Sequence, residues 1–259
     1  MANEAAKRRL LCLPKIMWYL HPLAMASCSV PDAVNELQRA LPPNVTITSS
    51  IPDPIYFKFG AVYNITPTAM VFPANADQVV TALTICYKHE VPVAVRSGEG
   101  HSYIGQSNVN DGIVLSLQRL RDFNVQVVGD DYIAKLGGGL DLIEVYTLMS
   151  YHDPPLGFAG GWFPNVRIGG FISGGGHGLF SPKYGIGADR LVAADVVVYD
   201  KTQKAFKVVK ATPTNEYADL LCAIRGGMGG NYGVVVNFYY KAFVAGTEYG
   251  NRTLLFGGV

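Results

Sequence analysis

A short apolar run at residues 91–95 leads directly into a loop of small residues that ends in a histidine, His101. The loop reads R-S-G-E-G-H-S over residues 96–102. Small residues let backbone N–H groups turn toward one point and let a ligand come close, and successive N–H groups in such a turn bind anions. Arg96 adds a fixed positive charge beside them. The pattern predicts a buried strand that opens into a cradle for a diphosphate, with an imidazole at its end.

Glycine clusters between apolar runs strengthen this interpretation. The chain has 29 glycines in 259 residues, and the longest cluster spans residues 160–178. This arrangement is typical of tight loops around a ligand and not of a flexible linker. The length is sufficient for a buried core in one or two domains.

Composition and motifs exclude several function classes. The formal net charge is +1 at pH 7, and no basic run interleaved with aromatic residues indicates nucleic acid. The sequence contains no G-x-G-x-x-G, Walker lysine loop, H-E-x-x-H or G-x-S-x-G motif, and no cysteine spacing typical of a metal site. A Rossmann site and a zinc hydrolase are therefore disfavoured, and no bound metal and no specific protein partner are expected.

The spacing of apolar residues predicts alternating helices and strands. Around the histidine loop it predicts a strand at 69–73, a helix capped by Asn75 that runs to residue 89, and a strand at 91–95. This βαβ unit favours a parallel or mixed sheet. The other predicted elements are helices at 32–41 and 140–151 and strands at 112–117, 132–136, 191–199, 205–209 and 234–240. We expect an α+β fold with two subdomains, 28–118 and 119–245, and a nucleotide between them.

Two further motifs follow the glycine cluster: Y-G-I-G-A-D at 184–189 and R-G-G-M-G-G-N-Y-G-V-V at 225–235. Together with the histidine loop, and in this order, they resemble the FAD-linked oxidases of the vanillyl-alcohol-oxidase superfamily, in particular the berberine-bridge-enzyme-like branch. The resemblance covers roughly residues 28–245. It implies the two-subdomain PCMH-type FAD-binding fold, with residues 246–259 as the start of a substrate domain that is largely absent from this chain.

The resemblance also implies FAD as cofactor, with His101 as the covalent attachment point for the flavin. Phe163 stands where relatives with two covalent links have a cysteine, so the expected link is through His101 only. Glu99 is an extra residue in the loop and is expected to point to solvent, because a carboxylate is repelled by a diphosphate. The implied cofactor-binding residues are Arg96, Ser97, Gly98, Gly100, His101, Ser102, Val166, Gly169, Gly170, Gly174, Gly175, Gly178 and Val235.

Three of the residues in and around the glycine cluster bear on oxygen access and flavin contact. The resemblance places Val166 where oxygen access is controlled, and valine there goes with oxidases; the alternative is an ordinary core valine. Arg167 replaces a residue that is usually glycine, and Phe171 replaces a histidine that contacts the flavin in some relatives. No residue of the chain is assigned as catalytic base.

The implied function is an FAD-dependent oxidoreductase. Its substrate would be a sugar, an alcohol or a secondary metabolite, oxidised by hydride transfer to flavin N5 with molecular oxygen as acceptor. The alternatives are a flavin-dependent dehydrogenase with another acceptor and a non-catalytic FAD-binding protein.

The N-terminus has features of a secretory signal. A basic run at residues 7–9 precedes an apolar stretch at 10–26 that ends in A-M-A, which is typical of a cleaved signal over residues 1–27. The stretch is too short and too often interrupted for a membrane span. Secretion is therefore expected, and a cytoplasmic extension is the alternative. The resemblance implies a disulfide between Cys28 and Cys86, whereas Cys222 lies in an apolar run and is expected to be buried.

Covalent attachment through His101 predicts that denatured wild-type protein stays yellow and that His101→Ala releases its flavin. A peptide map should show no cysteinyl flavin, because Phe163 cannot form a thioether. Acid precipitation followed by absorbance of pellet and supernatant measures the bound fraction. Recovery of all flavin in the wild-type supernatant would contradict the linkage.

Overall fold

The computed structural model describes residues 29–49, 65–98, 107–228 and 230–246. The predicted signal segment, residues 1–27, and Cys28 lie outside these residues. In the first half of the described chain, the elements are α1 (Val30–Ala40), β1 (Thr46–Thr48), β2 (Ala69–Phe72), α2 (Ala76–Lys88), β3 (Val93–Arg96) and β4 (Ile113–Ser116).

These elements form a four-stranded sheet in the order β1-β2-β4-β3. Strands β2 and β3 both run parallel to β4, and β1 is antiparallel to β2. Asn75 caps α2, since its side chain accepts a hydrogen bond from the backbone N–H of Gln78 at 3.0 Å. The predicted βαβ unit and its helix cap are therefore confirmed.

In the second half of the described chain, the elements are β5 (Phe123–Val128), β6 (Asp131–Gly137), α3 (Leu142–Ser150), β7 (Leu156–Gly157), α4 (Ile168–Ser173), α5 (Ser181–Tyr184), a 3₁₀ turn (Gly187–Arg190), β8 (Leu191–Asp200), β9 (Ala205–Ala211), α6 (Ala218–Ile224), β10 (Val234–Lys241) and β11 (Phe243–Val244). Five of these strands form a larger, antiparallel sheet in the order β5-β6-β10-β8-β9. A short pair of strands, β7 and β11, lies apart from it.

Strand β5 and the short helices are absent from the sequence prediction. In β5 only Phe123 and Val125 pack against the core, while Val127 and Val128 are exposed at the edge of the sheet. The apolar residues of this edge strand therefore do not follow the pattern of a buried strand, by which strands are predicted from sequence. Helix α4 contains two adjacent glycines, which disfavour a helix in isolation. Its burial against neighbouring segments overrides that preference.

The larger sheet buries both of its faces. One face, with Val196, Phe238 and Tyr240, packs with helices α3 and α4 in one hydrophobic core. The opposite face, with Val197 and Val234, joins the core of the smaller sheet. Helix α2 contacts β4 of the smaller sheet and β8 and β9 of the larger one, so it joins the two sheets. The α+β fold with two subdomains is confirmed, while the residue bounds of the subdomains stay a prediction.

The described residues include two cysteines, Cys86 and Cys222. Cys222 was expected to be buried, but it is exposed on the outer face of α6. The prediction that it is buried was wrong, because the helix turns only Leu220, Leu221 and Ile224 inward. Cys86 is buried in α2 and has no disulfide partner among the described residues. The pairing with Cys28 stays a prediction. Among the described helices, none is long and apolar enough to cross a membrane.

The cysteine environments predict different alkylation rates. Burial raises the pKa of the Cys86 thiol to about 12, and the thiolate is the form that reacts. Iodoacetamide at pH 8 should therefore modify Cys222 in the folded protein and leave Cys86 unmodified. Unfolding the protein without reductant then tests the disulfide: Cys86 should stay protected in secreted material. Its alkylation under those conditions would rule out the pair with Cys28.

Candidate functional site

The end of strand β3 opens the site. Arg96 is 3% exposed, and its Nε donates a hydrogen bond to the carbonyl of Gly98 at 2.6 Å. The carbonyl of Arg96 accepts a hydrogen bond from the backbone N–H of Leu117 at 2.7 Å. A guanidinium stays protonated when buried, so a fixed positive charge underlies the turn at residues 96–98. Glu99, Gly100, His101 and Ser102 lie outside the described residues.

Ser97 joins this turn to the second subdomain. Its Oγ donates a hydrogen bond to the carbonyl of Gly138 at 2.5 Å, and the N–H of Gly138 donates to the carbonyl of Val236 at 2.9 Å. Gly169 lies against both, since a Cβ on it would come 2.6 Å from Ser97 Oγ and 2.9 Å from Gly138 O. We call the contact of Ser97, Gly138 and Gly169 the junction.

The glycines of the segment 169–178 are of two kinds. Gly178 is required by packing, because a Cβ there would lie 1.7 Å from the carbonyl of Gly160. Gly175 is required by its backbone, which has a φ of +103°. Gly170 is different: it is exposed on helix α4, and a Cβ on it would meet no atom within 4 Å. Gly174 is also exposed, although a Cβ there would lie 3.0 Å from the carbonyl of Gly170.

The loop before α4 presents apolar side chains to solvent. Val166 is 38% exposed, and Trp162 and Phe163 are 59% and 75% exposed. The loop is held by its backbone, since the carbonyl of Val166 accepts a hydrogen bond from the N–H of Leu142 at 3.0 Å. The alternative that Val166 is an ordinary core valine was wrong.

Val235 is buried on the core side of strand β10. Its carbonyl lies against Gly138, where a Cβ would come within 2.8 Å of it. The side chain of Val235 is therefore part of the core, and only its backbone remains for a contact with a cofactor.

Two tyrosines that sequence reasoning did not single out hold the start of the exposed loop. Tyr146 Oη donates a hydrogen bond to the carbonyl of Gly161 at 2.6 Å, and Tyr240 Oη accepts one from the N–H of Ala159 at 2.8 Å. Burial raises the pKa of both phenols, so both stay neutral. The sequence gives no local signal for these contacts, because each joins segments distant in the chain.

Phe171 also acts within the fold. Its ring lies where a Cβ on Gly176, Gly161 or Gly187 would come within 2.7, 3.1 and 3.2 Å of it. Three glycines therefore enclose one half-buried ring, which fixes the path of the segment after α4.

The structure thus brings Ser97, Gly98 and the glycine segment together at one place between the two sheets.

Residues 67–204 match the family model described as the FAD binding domain. This chain belongs to that family, in its berberine-bridge-enzyme-like branch. It is 35% identical over 182 residues to berberine bridge enzyme-like D-1 of Nicotiana tabacum, covering 69% of this chain and 30% of that protein. It is 32% identical over 177 residues to reticuline oxidase of Papaver somniferum, covering 68% and 31%. The chain thus spans about a third of the length of these relatives.

Several solved structures have a similar fold. A berberine bridge enzyme variant described as a reticuline dehydrogenase has a TM-score of 0.67 at 28% identity, over 82% of this chain and 43% of that one. Wild-type Phl p 4.0202, a glucose dehydrogenase, has a TM-score of 0.66 at 25% identity, over 82% and 44%. A Phl p 4 variant described as a glucose oxidase has a TM-score of 0.66 at 26% identity, over 82% and 44%.

The described residues fit an FAD. A diphosphate needs positive charge and close backbone, and a buried Arg96 beside the turn at 96–98 supplies both. A flavin needs an apolar surface with room for close approach, and the open backbone at Gly170 lies on the same segment as the exposed Val166. The site is therefore of the right chemical type for the diphosphate and for the flavin ring.

The two kinds of glycine predict opposite effects of alanine. Gly178→Ala should destabilise the protein by about 3 kcal/mol, because the new methyl group meets a backbone carbonyl that cannot move away. Gly170→Ala should leave the free energy of unfolding unchanged or raise it by up to about 1 kcal/mol, because alanine is the better helix former. Denaturant unfolding of the cofactor-free protein measures both. Equal destabilisation by the two substitutions would contradict the distinction.

Proposed function

We propose that this chain is the FAD-binding part of an oxidoreductase that oxidises a sugar, an alcohol or a secondary metabolite. With FAD bound, a hydride from the substrate would go to flavin N5, and molecular oxygen would be the acceptor. The observation that carries the proposal is Gly170. The fold gives no reason for glycine there, since alanine would fit the space and favour the helix. A bound cofactor that approaches the backbone at that point supplies the reason.

The proposed roles combine the contacts of the described residues with the family resemblance. The turn at residues 96–98 and the adjoining Gly100, His101 and Ser102 bind the diphosphate, and His101 alone carries the covalent link. The glycine segment from Gly169 to Gly178, with the backbone of Val235, lies along the rest of the cofactor. When bound, the flavin accepts the hydride and passes the electrons to the acceptor.

The buried tyrosines do not take part in proton transfer. Tyr146 and Tyr240 each use the hydroxyl in a hydrogen bond to the backbone, and burial raises the pKa of both. Each is a poor base near neutral pH, so both are assigned to positioning. Val166, Trp162 and Phe163 offer an apolar surface that limits water beside the flavin.

Related proteins differ in their acceptor, which keeps a dehydrogenase as the second candidate. The similar structures include a reticuline dehydrogenase and a glucose dehydrogenase, whereas a Phl p 4 variant is named as a glucose oxidase and two similar proteins are named as reticuline oxidases. The small, partly exposed side chain of Val166 favours oxygen as acceptor, because it leaves more space than a larger residue would. Stopped-flow mixing of the reduced protein with oxygen separates the two: fast reoxidation supports an oxidase.

We further propose that the chain is secreted with a disulfide between Cys28 and Cys86. The signal-like N-terminus and the burial of Cys86 at the end of α2, beside α1, support this. The partners are then a small-molecule substrate and oxygen.

FAD binding to the full chain tests the proposal. The wild-type protein should bind FAD, and Gly170→Ala should weaken binding about tenfold, which is about 1.4 kcal/mol, because the added methyl group occupies the approach to the backbone. The dissociation constant is measured by flavin fluorescence during titration of the cofactor-free proteins, each of which, here and in the comparisons below, also carries His101→Ala so that no covalent link forms.

Gly129→Ala is the matched control. Gly129 also has no atom within 4 Å of a Cβ, but it lies in the β5–β6 turn with a φ of +63°. Its replacement should cost about 1 kcal/mol of stability and leave FAD affinity unchanged. A wild-type protein that binds no FAD would overturn the proposed function, and equal affinities of all three proteins would remove Gly170 as its support.

A further inference from the structure

We propose that Arg167 is a positioning residue of the FAD site, which holds the turn after β3 against the glycine segment. This inference rests on the proposed function, in which the turn at residues 96–98 binds the diphosphate. Arg167 is the residue directly before α4, and its side chain reaches back across the junction to both subdomains.

The aliphatic part of Arg167 packs on Gly98. A Cβ on Gly98 would lie 2.6 Å from Cγ, 3.2 Å from Cβ and 3.6 Å from Cδ of Arg167. Three consecutive carbons therefore cover this glycine. With glycine at position 167 this contact would be lost, and the turn would lose the support of the Arg167 stem.

The guanidinium is fixed at the other end. Arg167 Nη1 donates a hydrogen bond to the carbonyl of Gly139 at 2.5 Å and lies 3.8 Å from Asp141 Oδ2 and 3.9 Å from Glu144 Oε2. Asp141 and Glu144 are themselves held at the start of α3 by a capping box, with two reciprocal hydrogen bonds of 3.0 Å. The side chain of Arg167 is thus anchored to a rigid helix terminus.

The charge of Arg167 is compensated locally. Asp141 and Glu144 face it, and Arg121 forms a second ion pair with Glu144. Two guanidinium groups and two carboxylates make the cluster neutral, so Arg167 adds little net attraction for a phosphate. This differs from Arg96, whose guanidinium donates to the turn itself. The contribution of Arg167 to cofactor binding is therefore the position of Gly98 and not its charge.

Three substitutions separate position from charge. Arg167→Ala removes the stem and the charge and should weaken FAD binding about tenfold. Arg167→Met and Arg167→Lys both keep the stem over Gly98, and both should stay within about threefold of the wild-type dissociation constant. If charge were the cause, Lys would restore binding and Met would behave like Ala, and that result would overturn the proposal.

Arg121→Met is the matched control. It removes a partner of the same Glu144 carboxylate but makes no contact with Gly98, so FAD affinity should stay within about twofold of the wild-type value. A loss equal to that of Arg167→Ala would show that the ion-pair cluster matters and not the contact with Gly98, which would also overturn the proposal.

A double-mutant cycle tests the contact without flavin. Gly98→Ala should lower the melting temperature of the wild-type protein, because the methyl group displaces the stem of Arg167. The same substitution should cost less in Arg167→Ala, where the stem is gone. Additive shifts would overturn the contact. A wild-type protein that binds no FAD would instead overturn the proposed function and the flavin role of Arg167, while the cycle would still decide whether Arg167 holds the turn.

Discussion

The hydrogen bond from Ser97 Oγ to the carbonyl of Gly138 is the contact on which the site depends. It forms where β3 of the smaller sheet meets the end of β6 in the larger sheet, and Gly169 closes over it. Without the Ser97 hydroxyl, the buried carbonyl of Gly138 would lose this donor, and an unsatisfied buried acceptor lowers the free energy of unfolding. Because the approach leaves no room for a side chain at Gly169, the glycine segment, the turn after β3 and the larger sheet have one relative position.

Helix α2 supports this junction from a distance. It packs on β4 of the smaller sheet and on β8 and β9 of the larger one, so both sheets share part of a single core. Displacing the sheets relative to each other would expose apolar area that the helix now covers. The site thus lies at the edge of a rigid unit. Because the shared core supplies most of the stability, the hydrogen bond at the junction needs only to set the relative position of the segments it joins.

The sequence predicted the regular elements where burial follows a simple period. The βαβ unit, the cap at Asn75 and strands β8 and β10 were visible because their apolar residues face cores on one or both sides. Strand β5 was missed because its second half is exposed at an edge. Cys222 was assigned to the core because an apolar run shows hydrophobicity but does not show which side of a helix faces inward.

What the sequence by itself determined is the chemistry of the site: an arginine after an apolar strand, small residues that let a ligand approach, and motifs whose order resembles one family of FAD proteins. Only the tertiary structure decided which glycines are required by packing and which leave open space. Gly169 and Gly170 are adjacent and chemically identical, but Gly169 lies against Ser97 and Gly138, which are distant in the chain, whereas a Cβ on Gly170 would meet no atom within 4 Å. The tertiary structure also shows that Arg167, whose replacement of the usual glycine the sequence did not explain, packs on Gly98. Close approach is a property of pairs of segments, and a single segment cannot encode it.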